Sequence, residues 1–170
     1  REDEHARLLV EFNATCRDTS DKPQTLHERI VLQTAQTPDA VAVESNGLQL
    51  TYRELDRRSN QLAHHLREIG VGSDTLVGIC VERSPRLLVA LLGILKAGGA
   101  YLPLDPAFPP QRIAFMLEDS RPVALLTESG LDLSLPAEAL PETRVVLLDT
   151  IESELETRPI DPPQVNVQGH

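Results

Sequence analysis

Lys96 stands two residues before Gly98-Gly99, a neighbourhood of cation and glycines that could bind phosphate. A phosphate cradle needs the order strand, glycines, helix N-terminus, so that free N–H groups and the positive dipole end face the anion. Here the glycines instead follow Pro85 to Ala97, an apolar run of helix length, where unpaired carbonyls point outward. The local pattern is a helix stop, with Lys96 a cation at the negative end of a dipole, worth about 0.3–1 kcal/mol. The other lysine, Lys22, lies in a polar stretch, so no lysine follows a glycine-rich turn. Gly70 and Gly72 have no third glycine at the interval a dinucleotide fingerprint requires.

The other reactive side chains read as structural. His64 and His65 sit about 100° apart on a helix and cannot share a metal, and His64 with Glu68 has ligand spacing but no third ligand, which makes it a solvated face. Ser84 has no nucleophile elbow around it and precedes Pro85, as an N-cap does. Cys80 falls in an apolar strand and reads as an inert core thiol, and with Cys16 it makes neither a disulfide framework nor a zinc site. Glu152, Glu154 and Glu156 alternate in a charged, proline-bounded tail, the pattern of a solvated segment. Asp105 follows a predicted parallel strand, where open α/β sheets bind ligands, yet Asp105-Pro106 is also a turn starter. No catalytic, cofactor-binding or metal-ligating set assembles from these residues.

The elements that would carry them follow from pattern. Thr25-Leu-His-Glu28 and Thr51-Tyr-Arg-Glu54 are capping boxes, so helices start at both. The first stops before Pro38. Behind the second, Tyr52, Leu55, Leu62, Leu66 and Ile69 recur at helical spacing, with Arg53, Arg57, Gln61, His64 and Arg67 on other faces, and Gly70 ends the run. Val41 to Glu44 and Leu48 to Leu50 flank Asn46-Gly47 as a hairpin. Strands at Leu76 to Val81, Ala100 to Leu104, Val123 to Leu126 and Val145 to Leu148 alternate with helices at Pro85 to Ala97 and from Pro110 to Ser120. The fold class is α/β, a mainly parallel β-sheet with flanking helices.

Composition bounds the remainder. With 170 residues, 41% of them hydrophobic, the chain can build a core, and with 3% aromatics leucine, valine and alanine must fill it. A net charge of −10 opposes binding to nucleic acid or to an anionic membrane surface. The apolar run Leu87 to Leu95 is about half of the ~20 residues that a membrane helix needs, and a reducing cytoplasm fits the cysteine usage. Residues 1–24 read as a linker arm, and the segment Asp132 to Asp161, rich in acids and prolines, as exposed connections.

Two stretches carry a resemblance. Leu50-Thr51-Tyr52-Arg53-Glu54-Leu55 resembles the first core motif of the adenylation domains of non-ribosomal peptide synthetases, within the adenylate-forming enzymes. Leu95-Lys96-Ala97-Gly98-Gly99-Ala100-Tyr101-Leu102-Pro103-Leu104-Asp105 resembles the second. Leu26-His27-Glu28, Thr37 to Val43 and Met116-Leu117-Glu118-Asp119-Ser120 are similar to the same family. Arg7-Leu8-Leu9 through Phe12-Asn13-Ala14-Thr15 resembles the linker that follows a condensation domain, and Val165-Asn166-Val167 the segment just before the phosphate loop.

The resemblance implies a domain of residues 25–170 that forms the first part of the large amino-terminal subdomain, truncated before the phosphate loop, with both motifs structural. It implies ATP- and Mg²⁺-dependent activation of an amino acid to its aminoacyl-AMP by the complete domain, then loading onto a carrier-domain phosphopantetheine. This chain alone is expected to be inactive scaffold, holding no cofactor. The implied partners are the remainder of the adenylation domain, an upstream condensation domain and a downstream carrier domain. Small MbtH-like proteins are a further candidate, which would make the chain a non-catalytic docking module, and exposed apolar surface beyond about 400 Å² would favour self-association. An acyl-CoA ligase relative is the other reading, and the Tyr-Leu-Pro-Leu-Asp wording favours the peptide-synthetase branch.

Overall fold

The computed structural model describes residues 7–8, 25–136, 140 and 142–165. Apart from Arg7 and Leu8, the linker arm expected over residues 1–24 lies outside the described residues, as do Asn166 and Val167.

Both capping boxes form. Helix α1 (Leu26–Gln36) starts where Thr25 Oγ1 accepts from the Glu28 amide at 3.3 Å and Glu28 Oε2 accepts from the Thr25 amide at 2.9 Å. Strands β1 (Val41–Ser45) and β2 (Leu48–Thr51) pair antiparallel around Asn46-Gly47, both at positive φ. Helix α2 (Tyr52–Glu68) follows β2 directly, with Thr51 Oγ1 accepting from the Glu54 amide at 3.2 Å and Glu54 Oε2 from the Thr51 amide at 2.9 Å. Each box satisfies two backbone donors that a helix N-terminus otherwise leaves unpaired.

The main sheet contains β3 (Leu76–Ile79), β4 (Ala100–Pro103), β5 (Ala124–Thr127) and β6 (Arg144–Leu147). Its order is β4-β3-β5-β6 and every pairing is parallel. Helix α3 (Pro85–Ala97) joins β3 to β4, and α4 (Pro110–Ser120) then returns the chain across β3 to β5. The short α5 (Glu152–Leu155) follows β6. Strand ends differ from expectation by one or two residues because pairing outlasts regular strand geometry. The Cys80 amide still donates to Leu126 O at 2.9 Å, and the Leu104 amide to Ile79 O at 2.8 Å.

Side chains alternate across the sheet, as a period of two requires. Val77, Ile79, Val81, Ala124, Leu126, Val146 and Leu148 share one core with α2 and α3. Cys80, Leu104 and Leu125 share a second core with Ile113 and Leu117 of α4. The sheet is therefore covered on both faces, which is why its strands read as near-continuous apolar runs. Phe115 of α4 points away from that core and is 67% exposed.

Helices α2 and α3 pack extensively against each other. A Cβ built on Gly93 would lie 2.8 Å from Leu62 Cδ2 and 2.9 Å from Cγ, so the glycine is what lets Leu62 seat, fully buried. At the far end of α3, Gly98 takes φ 92°, a left-handed C-cap that a side chain would strain.

Two features are added by the structure. Ser59, Asn60 and Gln61, off the apolar face of α2, are all buried, with polar partners on α3 and in the segment after α5. That segment is mostly exposed, as expected, and its backbone carbonyls at Glu156, Arg158, Ile160 and Asp161 are hydrogen-bonded to side chains of α2. Sequence patterning scores apolar residues, and this contact is polar.

Substitutions in these caps and contacts have defined effects on stability. Thr51→Ala costs about 1 kcal/mol in denaturant unfolding. Glu54 is held below the ordinary glutamate range, first by the Thr51 amide and then by the Thr51 hydroxyl. Its folded-state pKa is depressed, so its contribution is present above the ordinary value and is lost as pH falls through the lowered one; Glu54→Gln removes that acid-side slope from the unfolding profile. Gly93→Ala costs about 1–3 kcal/mol, because Leu62 must leave its rotamer or the helices must part. An unchanged unfolding midpoint in that variant would contradict the packing described.

Candidate functional site

Lys96 is the one motif residue whose placement departs fully from a surface cap. It lies on α3, is 4% exposed, and inserts its ammonium into the polar face of α2. Nζ donates to Asp56 Oδ1 at 2.7 Å, to Ser59 Oγ at 2.8 Å and to Asn60 Oδ1 at 2.7 Å, with Asp56 O further off at 3.3 Å. Three protons meet three short acceptors, so the ammonium is saturated. Ser59 is free to accept because its own proton goes to Asp56 O at 2.9 Å. Burial lowers the Lys96 pKa, while the Asp56 hydrogen bond and charge pull it back up. A buried charge that keeps its proton in this way must be paired and fully bonded, and this one is. Among the described residues, sequence reasoning missed Asp56, Ser59 and Asn60 as its partners. Their spacing of three and four residues on one helix face was the available signal.

The rest of the second motif completes the turn from α3 into β4. The Gly98 amide donates to Leu95 O and the Gly99 amide to Ile94 O, at 3.1 and 3.0 Å, which confirms the helix stop. Ala97 and Leu104 are buried, and Leu95 is half-buried. Ala100, Tyr101 and Pro103 are exposed on β4, the sheet's edge strand, with Leu102 half-buried. Asp105 takes the turn role: Oδ1 accepts from the Ala107 amide at 2.9 Å and its carbonyl from the Phe108 amide at 2.9 Å. In the first motif, Leu50 and Leu55 are buried, Tyr52 is half-buried, and Thr51 and Glu54 form the capping box.

The sheet's strand order reverses between β3 and β5, and a doubly wound sheet opens a crevice beyond the strand ends at such a point. Side chains of this chain pair with one another there. Glu128, one residue past β5, accepts from the Glu82 amide at 3.0 Å and from Arg86 through its second oxygen. Arg86 also reaches Glu152 Oε1 at 2.8 Å. These acceptors hold the Arg86 guanidinium protonated against the opposing effect of burial. Ser84 is the N-cap residue of α3, as its position before Pro85 implies, but its Oγ makes no cap bond and is buried without a partner.

The remaining candidates are not brought together. His64 bonds a backbone carbonyl and Glu68 pairs with Arg158, so neither faces open solvent alone. Glu152 and Glu154 remain more than half exposed but are paired with Arg86 and Arg158 rather than freely solvated. Burial pushes the Cys80 thiol up to about 11, which fits an inert core residue.

A triphosphate and its magnesium do not fit these residues. The protons of Lys96 are spent inside the protein, and the amides of Gly98 and Gly99 are bonded to their own helix. Among the described residues, no group of three His, Cys, Asp or Glu side chains is placed to hold a metal ion. No helix among them is long and apolar enough to cross a membrane.

The doubly covered parallel sheet, with its motifs spent on capping and packing, is an α/β element of the adenylate-forming fold. Residues 31–167 match the family described as AMP-binding enzyme, and the chain belongs to that family. Its likeness is to peptide-synthetase adenylation domains. A linear gramicidin synthase from Brevibacillus parabrevis is 46% identical over 171 residues, 99% of this chain but 2% of that protein. Bacitracin synthase 3 of Bacillus licheniformis is 49% identical over 132 residues, covering 78% of this chain and 2% of that one. Among solved structures, a variant of the nonribosomal peptide synthetase FmoA3 in an AMPPNP-bound form shares 41% identity at a TM-score of 0.80, over 94% of this chain and 16% of that chain. This chain thus spans a small fraction of each relative.

The Cys80 assignment has a direct check. In a Cys16→Ser background, the folded chain stays unlabelled by a thiol-disulfide reagent at pH 8 and gains one label on unfolding. Stoichiometric labelling of the folded chain would contradict a thiol with a pKa near 11.

Proposed function

We propose that this chain is scaffold within an amino-acid-adenylating domain of a non-ribosomal peptide synthetase. In this reading residues 1–24 are an interdomain linker and residues 25–170 belong to the large subdomain. The complete domain uses ATP and Mg²⁺ to convert an amino acid to its aminoacyl-AMP and passes it to the phosphopantetheine of a carrier domain. The observation that carries the reading is the fate of the second motif. Its lysine and glycines are consumed in joining α2, α3 and β4, so what this stretch supplies is a rigid sheet rather than a reactive group. Similarity to linear gramicidin synthase and bacitracin synthase supports the peptide-synthetase branch over an acyl-CoA ligase.

Condensation and carrier domains are the neighbours this reading supplies, and docking to the remainder of the domain is the role that the exposed apolar side chains support. Val145 on the β6 edge, Tyr101 on the β4 edge and Phe115 on α4 are all exposed. An MbtH-like partner or a second copy of the chain would use the same kind of surface.

The test is amino-acid-dependent exchange of pyrophosphate into ATP. A polypeptide carrying this chain with the rest of an adenylation domain exchanges label with one or a few amino acids, and the 170-residue chain alone does not. Exchange by the isolated chain refutes the scaffold role; absence of exchange by the complete domain with all proteinogenic and common non-proteinogenic amino acids refutes adenylation.

A further inference from the structure

We propose that the outer edge of β2 is a strand-docking site: an extended segment from the rest of the adenylation domain, apolar at alternate positions and carrying a carboxylate, pairs with Gln49 and occupies the cleft beside it. The proposal rests on the reading of this chain as part of such a domain. A cleft of about 310 Å³ runs along β2, and Leu48, Gln49 and Leu50 all line it. Side chains alternate along a strand, so three consecutive residues share one cleft where it follows the strand's edge.

The turn fixes which backbone groups that edge presents. Asn46 and Gly47 both have positive φ, 51° and 77°, as a two-residue type I′ turn requires. Ser45 and Leu48, which flank it, are then the pair that exchanges both hydrogen bonds, and the pairing alternates from there. Leu50 turns its amide and carbonyl inward to Val43, whereas those of Gln49, opposite Glu44, point away from β1. Among the described residues β2 pairs with β1 alone. Its four residues, Leu48–Thr51, include no proline and no charged side chain, the devices that keep an open edge from pairing. A two-stranded hairpin is marginal by itself, and a third strand is what stabilises such a sheet.

The walls of the cleft describe the occupant. Leu50, Leu62, Val89 and Leu148 give it an apolar floor, which alternate side chains of an added strand would face. Ser84 Oγ, on the same wall, is buried without a hydrogen-bond partner, and the backbone of an incoming segment can satisfy it. Of the charges, Arg86 and Glu152 pair with each other. The side chains of Arg57, Arg58 and Glu156 also line the cleft and make no ion pair among the described residues. Two unspent guanidinium groups against one carboxylate leave an excess of positive charge on the α2 side, complementary to a carboxylate on the occupant. An outward N–H and C=O on one residue are matched by another backbone, so a polypeptide strand fits better than a small anion. This chain spans 16% of the FmoA3 synthetase chain that it resembles, so most of such a polypeptide lies beyond it.

Residue-resolved hydrogen exchange tests this on a polypeptide carrying this chain with the rest of an adenylation domain, beside the 170-residue chain. In the 170-residue chain the Gln49 amide exchanges about tenfold or more faster than the amides of Leu48 and Leu50, which bond to β1. In the longer polypeptide it becomes as protected as they are, a slowing of about a hundredfold or more. A Gln49 amide that still exchanges fast there overturns the proposal. Protection in the 170-residue chain that grows with its concentration also overturns it, because a second copy is then the occupant.

Two variants separate docking from local structure. Gln49→Pro removes an outward N–H and none of the bonds between β1 and β2, a placement that an edge strand tolerates. It leaves the unfolding midpoint of the 170-residue chain unchanged and lowers that of the longer polypeptide. Arg57→Gln combined with Arg58→Gln does the same. Equal losses in both polypeptides, or no loss in the longer one, contradict the docking role. Should Gln49→Pro fail to fold, exchange at Gln49 in the unsubstituted longer polypeptide still decides. Pyrophosphate exchange is measured on that same sample: its absence defeats the adenylation reading alone, and the protection of Gln49 judges the docked strand separately.

Discussion

A charged ammonium enclosed between two helices is the constraint on which the rest of this structure depends. Lys96 is nearly inaccessible, and burying an isolated charge costs far more than any single contact returns. The fold accommodates it by dedicating Asp56, Ser59 and Asn60, three side chains from one face of α2. Those three positions cannot then join the apolar core, so α2 is divided into a polar strip facing Lys96 and an apolar strip, Leu55, Leu62, Ala63 and Leu66, in the core shared with α3 and the sheet. The pairing is specific in a way that leucine packing is not: sliding α3 by one turn against α2 would strand the charge. Gly93, which admits Leu62 at contact distance, fixes the same register from the apolar side.

That register positions the sheet. With α3 seated, its capping turn at Gly98-Gly99 delivers β4 beside β3, and its N-terminus stands at the strand-order reversal. There Arg86 pairs with Glu128. Cation and glycines, the residues most suggestive of phosphate chemistry, are spent on structure. Fold and chemistry are separable in this way because a site is a set of groups grafted on a scaffold.

Most of the architecture is legible in the residues. Thr25 with Glu28 and Thr51 with Glu54 mark two helix starts to the residue, and Pro85 with Gly98 bounds α3 at both ends. Apolar runs at Leu76, Val123 and Val145 mark the buried strands, with ends displaced by one or two residues since hydrogen bonding there fades gradually. The illegible part is polar and long-range. Nothing local marks Gln61 as buried or Lys96 as enclosed, because their partners lie tens of residues away and periodicity records only which side chains avoid water. The acidic segment after α5 reads as solvated for the same reason: its side chains are exposed, and it is the backbone carbonyls that are held.

The most direct measurement of the central claim is nitrogen-detected resonance of the lysine ammonium groups in the folded chain at neutral pH. The expected result is a Lys96 Nζ signal that carries three slowly exchanging protons, at an ammonium shift, and that collapses only on global unfolding. A Lys96 signal exchanging as fast as an exposed lysine, or one at the shift of a neutral amine, would contradict a buried, fully bonded charge as the tie between α2 and α3.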